Sequence, residues 1–205
     1  MERCPEVDEK LMEKLRKLSP VIVLASQSPN RRKILEKAGL HVITRPQDIW
    51  EICGFTEPDK VVQALSSQKM DSYLKSPEFD PALPAVAVDT LVSLDGNLMG
   101  KPKDDDDARS MIRSFSGRWH DVFSGMSVYV PDTGKVSCVC DVTRVLFHPL
   151  TEADIDWYIS TGDCTGAAGA YKIQENGYKL IDAIDGSFSN IIGIPLERLA
   201  EILSR

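Results

Sequence analysis

Val21-Ile22-Val23-Leu24-Ala25-Ser26-Gln27-Ser28-Pro29-Asn30-Arg31-Arg32-Lys33-Ile34-Leu35 is the stretch whose reading decides the fold. Four apolar residues make a buried strand, and Ser28 and Pro29 follow as N-cap and first helical residue. Ile34, Leu35 and Ala38 give the helix its apolar side, and Gly39 stops it. The arginines do not suit such a helix taken alone. Cations in a first turn oppose the macrodipole by about 0.3–1 kcal/mol each, so stability by itself favours Asp or Glu there. An anion removes the conflict, because free backbone N–H groups, hydroxyls and guanidinium groups at one helix start can bind a di- or triphosphate. The same residues also fit an ordinary capped helix with solvated arginines.

Outward from this unit, residues 1–20 carry Leu11, Leu15 and Leu18 at helical spacing and form a short N-terminal helical extension. Downstream, residues 39–43 make a return strand and residues 45–55 an irregular loop holding Asp48 and Glu51. A helix spans 58–74, with Val61, Val62, Leu65 and Met70 on its apolar side and Lys69 within it. Three prolines make residues 76–84 a loop before a strand over 85–94, closed by the Asp95-Gly96 turn. Asp104 to Asp107 precede Ala108, Met111, Ile112 and Phe115, so they fit a helical first turn better than a metal cage. Strands over 121–130 and 136–147 follow, then a capping-box start at Thr151-Glu152-Ala153-Asp154. Five glycines from Gly166 to Gly193 are expected to punctuate short strands ahead of a last helix at Pro195. No linker or repeat divides the chain, so residues 21–205 are expected to form a single α/β domain, a mixed twisted sheet with flanking helices and two lobes around a deep cleft.

Composition limits what such a cleft can hold. A formal charge of −7 argues against a general nucleic-acid binder, since polyanions would be repelled, while small anions are still admitted. No apolar run approaches the roughly 20 residues of a membrane span, and the N-terminus lacks an apolar signal segment, so a cytoplasmic protein without membrane attachment is expected. The five cysteines show no zinc or CxxC spacing and fit reduced thiols.

Asp89 is the leading catalytic candidate. It interrupts the apolar strand Ala85-Val86-Ala87-Val88, where an unpaired buried carboxylate costs several kcal/mol. A divalent cation, an attacking water or a lysine partner would offset that cost; an exposed position on the strand or a hydrogen bond to backbone would explain Asp89 equally well. Glu51 and Asp48 are candidate second carboxylates, and Lys69 and Lys101 candidate phosphate ligands. His120 fits either ligand binding or packing. In the small-residue loop at 167–174, the Gln174 amide can read a base edge.

Six short motifs occur in one order: Ser26-x-Ser28-Pro29 with Arg31; Val88-Asp89-Thr90-Leu91-Val92; Gly100-Lys101-Pro102; Ser116-Gly117 with His120; Ala168-Gly169-Ala170-Tyr171 with Ile173-Gln174; and Gly193-Ile194-Pro195-Leu196. In this the chain resembles the Maf family of nucleoside-triphosphate pyrophosphatases, with an ITPase-like two-lobed fold. The resemblance implies hydrolysis of a nucleoside triphosphate to monophosphate and pyrophosphate with Mg²⁺ or Mn²⁺. It makes Asp89 the acid-base carboxylate, with Glu51 as its partner in catalysis and metal binding. Ser26, Ser28, Arg31, Arg32, Lys69 and Lys101 become phosphate ligands. Arg31, Thr90 and Gln174 match the positions that mark the branch acting on dTTP and UTP, modified pyrimidines being a related substrate class. A homodimer is also implied, although no segment demands one. Three departures from the family pattern stand out: Asn30 replaces an arginine, Gly166-Ala167 replaces Asp-Lys, and Lys172 replaces glycine while offering a charge nearby. These departures leave open a nucleotide-binding regulator with weak or lost turnover.

Overall fold

Strand β1 (Val21–Leu24) runs into helix α2 (Pro29–Lys37), and the Ser28 hydroxyl caps that helix by accepting from the Arg31 N–H at 3.4 Å. The computed structural model of the chain describes residue 4 and residues 6–205. The helix expected over residues 1–20 is α1 (Glu9–Leu18); residues 1–3 and 5 lie outside the described residues.

A seven-stranded mixed sheet forms the centre, in the order β2 (His41–Thr44), β1, β3 (Ala85–Leu94), β5 (Trp119–Val130), β6 (Lys135–Phe147) and β7 (Ile181–Asp185). The short β4 (Asn97–Met99) folds back on β3 through the Asp95-Gly96 turn. Strand β1 is parallel to β2 and β3, and the remaining pairs are antiparallel. The expected mixed α/β architecture is therefore present.

Alternation along β3 distributes the core. Val86 and Val88 join Ile22, Leu24, Met126 and Val128 beneath α1, α2 and α7 (Leu196–Leu203). Ala85 and Ala87 face the other way, with Val23, Ala25 and Tyr129, onto Met70 and Tyr73 of α3 (Pro58–Leu74). Further along, Val92 and Leu94 pack with Val122, Val145 and Phe147 under α4 (Asp105–Phe115) and α5 (Glu152–Ser160). Leu15 of α1 is fully buried in the cluster that holds α7, so this helix shares the core of the sheet.

Two local readings are borne out in atomic detail. Asp104 caps α4 by accepting from the Asp107 N–H at 2.8 Å, so the aspartate run serves the helix start. Thr151 and Asp154 form a reciprocal capping box at α5. The C-terminal glycine region differs from its expected short strands. It contains two 3₁₀ turns (Ala168–Ala170 and Asn176–Leu180), the one strand β7 and the short helix α6 (Phe188–Ile192). Positive φ at Gly166, Gly169, Gly186 and Gly193 turns the chain at those points and prevents extended runs.

The cleft arises where β3 outruns β1. Only Ala85 and Val86 of β3 pair with β1, whereas pairing with β5 continues to Ser93. Residues 89–92 thus lie beyond the carboxyl end of β1, opposite the start of α2, a recurrent position for ligands in open α/β sheets. Close packing of α3 fixes the opposite wall: a Cβ on Gly125 of β5 would stand 2.1 Å from the Val62 carbonyl oxygen of that helix.

Candidate active site

The cleft encloses about 700 Å³ and takes its walls from the start of α2, the loop before α3, α3 itself, β3, Gly100-Lys101 and the loop at 165–174. At its centre, Lys69 of α3 extends across to β3. Its Nζ lies 2.6 Å from Asp89 Oδ1 and 2.8 Å from Glu51 Oε1. The Lys69 and Asp89 side chains are 14% and 13% exposed and Glu51 is 45% exposed, so the first pair is largely desolvated and Glu51 is at the rim. A lysine partner thus offsets the cost of placing Asp89 in an apolar strand. Residue parity puts the group there: Asp89 continues the face of Ala85 and Ala87, which is the face α3 covers.

Arg31 occupies the opposite side. Its Nε donates to the Gly193 carbonyl at 2.8 Å, and Nη1 donates to Ser26 Oγ at 3.0 Å and the Val88 carbonyl at 2.8 Å. Nη2 donates to Thr90 Oγ1 at 2.9 Å, and Thr90 is in hydrogen-bond contact with Ser124 at 2.9 Å. Burial draws the guanidinium below its ordinary pKa, against the opposing field of Asp89 and Glu51. Arg31 therefore clamps three segments of the cleft floor, and most of its donors are already engaged. Gly193 suits this clamp: at φ +110° it has the left-handed geometry that favours glycine, and a Cβ would come within 3.3 Å of Arg31 Nε and Thr90 Oγ1.

Ser26, Ser28, Arg31, Lys69, Lys101, Asp89, Glu51, Thr90 and Gln174 all line the cleft. Arg32 does not. It points to the exposed side of α2 and pairs with Glu36 at 2.7 Å, because successive residues on a helix diverge by about 100°. Asp48, Asn30, Gly166, Ala167 and Lys172 also reach the lining. Gln174 brings a buried amide Nε2 with no hydrogen-bond partner among the described residues, a donor whose desolvation is uncompensated until an acceptor arrives.

His120 is packed away from the cleft lining. Its ring lies 4.2 Å from that of Phe115, and Nε2 is 3.0 Å from the Tyr171 hydroxyl. Burial pulls the imidazole down to about 3 and raises the Tyr171 phenol, so both are neutral near pH 7. Tyr171 itself lines the cleft, and the pair anchors the loop that leads to Gln174. Sequence reasoning missed this link and the roles of the Gly193 and Val88 carbonyls. The two acceptors on Arg31 are backbone groups, which carry no residue signature.

Comparison with known proteins bears on this geometry. A family described as "Maf-like protein" matches residues 21–205. Among similar proteins, a dTTP/UTP pyrophosphatase of Chromobacterium violaceum is 39% identical over 190 residues, covering 89% of this chain and 93% of the relative. One of Anaeromyxobacter dehalogenans is 38% identical, covering 92% and 95%. One of Caldanaerobacter subterraneus subsp. tengcongensis is 37% identical, covering 90% and 88%.

Proposed function

The chain belongs to the Maf-like protein family, and on that footing we propose that it is a nucleoside-triphosphate pyrophosphatase acting on dTTP and UTP. The observation that carries this reading is the Asp89–Lys69–Glu51 cluster facing a capped helix start across a cleft of triphosphate size. The triphosphate lies along the Ser26–Ser28 turn and the lysines, whose charges offset its own. Asp89 takes a proton from a water as the water oxygen bonds to the α-phosphorus. The bond from that phosphorus to the α–β bridging oxygen breaks, and its electron pair leaves with pyrophosphate. Arg31 holds Thr90, Val88 and the Gly193 loop in register, so that Asp89 meets the reacting phosphorus in a fixed geometry.

The residues present suit a magnesium or manganese ion. Asp89 and Glu51 converge on one ammonium and would hold the ion together; among the described residues no third His, Cys, Asp or Glu joins them. Such a set matches Mg²⁺, which commonly takes one or two carboxylates with substrate phosphates and water. When bound, the ion supplies positive charge against the phosphate oxygens.

Base choice falls to Gln174. Its unpaired Nε2 is a donor for a pyrimidine carbonyl oxygen, which thymine and uracil present where cytosine presents an amino group. Pyrimidines modified away from that edge fit the same contact. Pyrophosphate release from a panel of canonical and modified nucleoside triphosphates, with Mg²⁺ or Mn²⁺, tests the proposal. Turnover concentrated on dTTP and UTP is expected. Binding of nucleotide without turnover of any would instead favour a regulator.

A further inference from the structure

Four cationic side chains line the cleft, and they are not equivalent. Arg31 is committed to protein acceptors, and Lys69 is held between two carboxylates. Lys101 and Lys172 have no carboxylate within ion-pair distance among the described residues, and unlike Arg31, which also lacks one, neither has its charged group engaged by protein acceptors there. They also belong to one wall. The Gly169 N–H donates to the Gly100 carbonyl at 2.9 Å, joining the turn before Lys172 to the residue before Lys101.

The backbone of Lys172 is fixed while its side chain has no hydrogen-bond or ion-pair partner among the described residues. Its N–H donates to the Tyr158 hydroxyl at 3.1 Å, and its carbonyl accepts from the N–H groups of Glu175 at 3.2 Å and Gly177 at 3.1 Å. A Cβ on Gly177 would stand 2.4 Å from that carbonyl oxygen, so the turn requires glycine at this contact. A half-buried lysine on a fixed backbone, with no carboxylate partner among the described residues, is a preformed anion ligand.

We propose that Lys172 is a substrate-binding residue of this cleft and that, with Lys101, it takes the terminal phosphates that leave as pyrophosphate. The assignment rests on the reading of the cleft as a triphosphate site and adds the wall on which the leaving group sits. Lys69, compensated by Asp89 and Glu51, then serves the reacting end of the substrate, and the uncompensated pair serves the far end.

The test is calorimetric titration of inorganic pyrophosphate, and separately of UMP, into the purified full chain and its Lys172→Met and Lys172→Arg variants in Mg²⁺ buffer. Loss of one charge-assisted contact predicts about tenfold or more weaker pyrophosphate binding in Lys172→Met, with UMP affinity unchanged and most of the loss restored in Lys172→Arg. Pyrophosphate affinity within about twofold of wild type in Lys172→Met would overturn the assignment, as would equal weakening of UMP, which would report a distorted loop. These titrations require no turnover. An inactive wild type would defeat the pyrophosphatase reading, whereas unchanged pyrophosphate affinity in Lys172→Met would defeat the role of Lys172.

Discussion

Lys69 Nζ and Asp89 Oδ1 lie 2.6 Å apart between α3 and β3, and this contact joins the Asp89 carboxylate to the helix that covers its face of the sheet. Breaking such a pair from one side leaves a desolvated charge. Lys69→Met is therefore expected to lower the unfolding free energy by about 3 kcal/mol and abolish turnover, measured by urea denaturation and pyrophosphate release. The double variant Lys69→Met/Asp89→Asn is expected to recover most of the stability and none of the activity. A double variant as unstable as the single one would show that α3 needs Lys69 for another reason.

Gly125 controls the same contact from a distance. Its missing Cβ lets the Val62 carbonyl of α3 rest on β5, and no side-chain rotation can relieve a 2.1 Å approach to backbone. Gly125→Ala is expected to displace α3, cost about 2 kcal/mol or more and reduce turnover by moving Lys69. Thermal unfolding and kinetics on the same preparation check both effects. Wild-type stability would show that the helix seats itself without this glycine.

Much of this arrangement was legible in the sequence, and what was missed has a common cause. The β1–α2 unit, the Asp104 cap and the Thr151 capping box depend on neighbours within a few residues, so the chain announces them locally. Asp89 was legible because a carboxylate in an apolar run is locally anomalous. Arg31 was singled out together with its side-chain partners Ser26 and Thr90, but its backbone partners were not: Gly193 lies 162 positions away and Val88 57 positions away, and each contributes only a carbonyl. Arg32 failed because adjacency in sequence is divergence on a helix. The glycine-rich segment failed because a glycine signals a turn without specifying whether strand or 3₁₀ geometry lies between turns.

His120 sets an acid limb on stability. The folded-state pKa of about 3 lies below the ordinary 6.5, so between those values the unfolded chain binds a proton that the folded chain refuses. The contribution is fully present above pH 6.5 and is lost as pH falls toward 3, at up to about 1.4 kcal/mol per pH unit. His120→Gln, which can still pair with Tyr171, is expected to flatten the dependence of Tm on pH below 6.5. An unchanged acid limb would place the responsible group elsewhere.

Gln174 is expected to govern base choice through its unpaired donor. Gln174→Glu replaces that donor by an acceptor, which suits the cytosine amino group and opposes the uracil carbonyl. The ratio of kcat/KM for UTP to that for CTP should fall by about tenfold or more. A ratio that does not move would remove Gln174 from base recognition.

The most direct test of the account is hydrolysis of UTP in water enriched in oxygen-18, with products resolved by mass spectrometry for wild type and for Asp89→Asn shown to be folded. Label is expected in UMP and none in pyrophosphate, with turnover lost in the variant. Label in pyrophosphate, release of UDP with orthophosphate, or full activity of Asp89→Asn would contradict it.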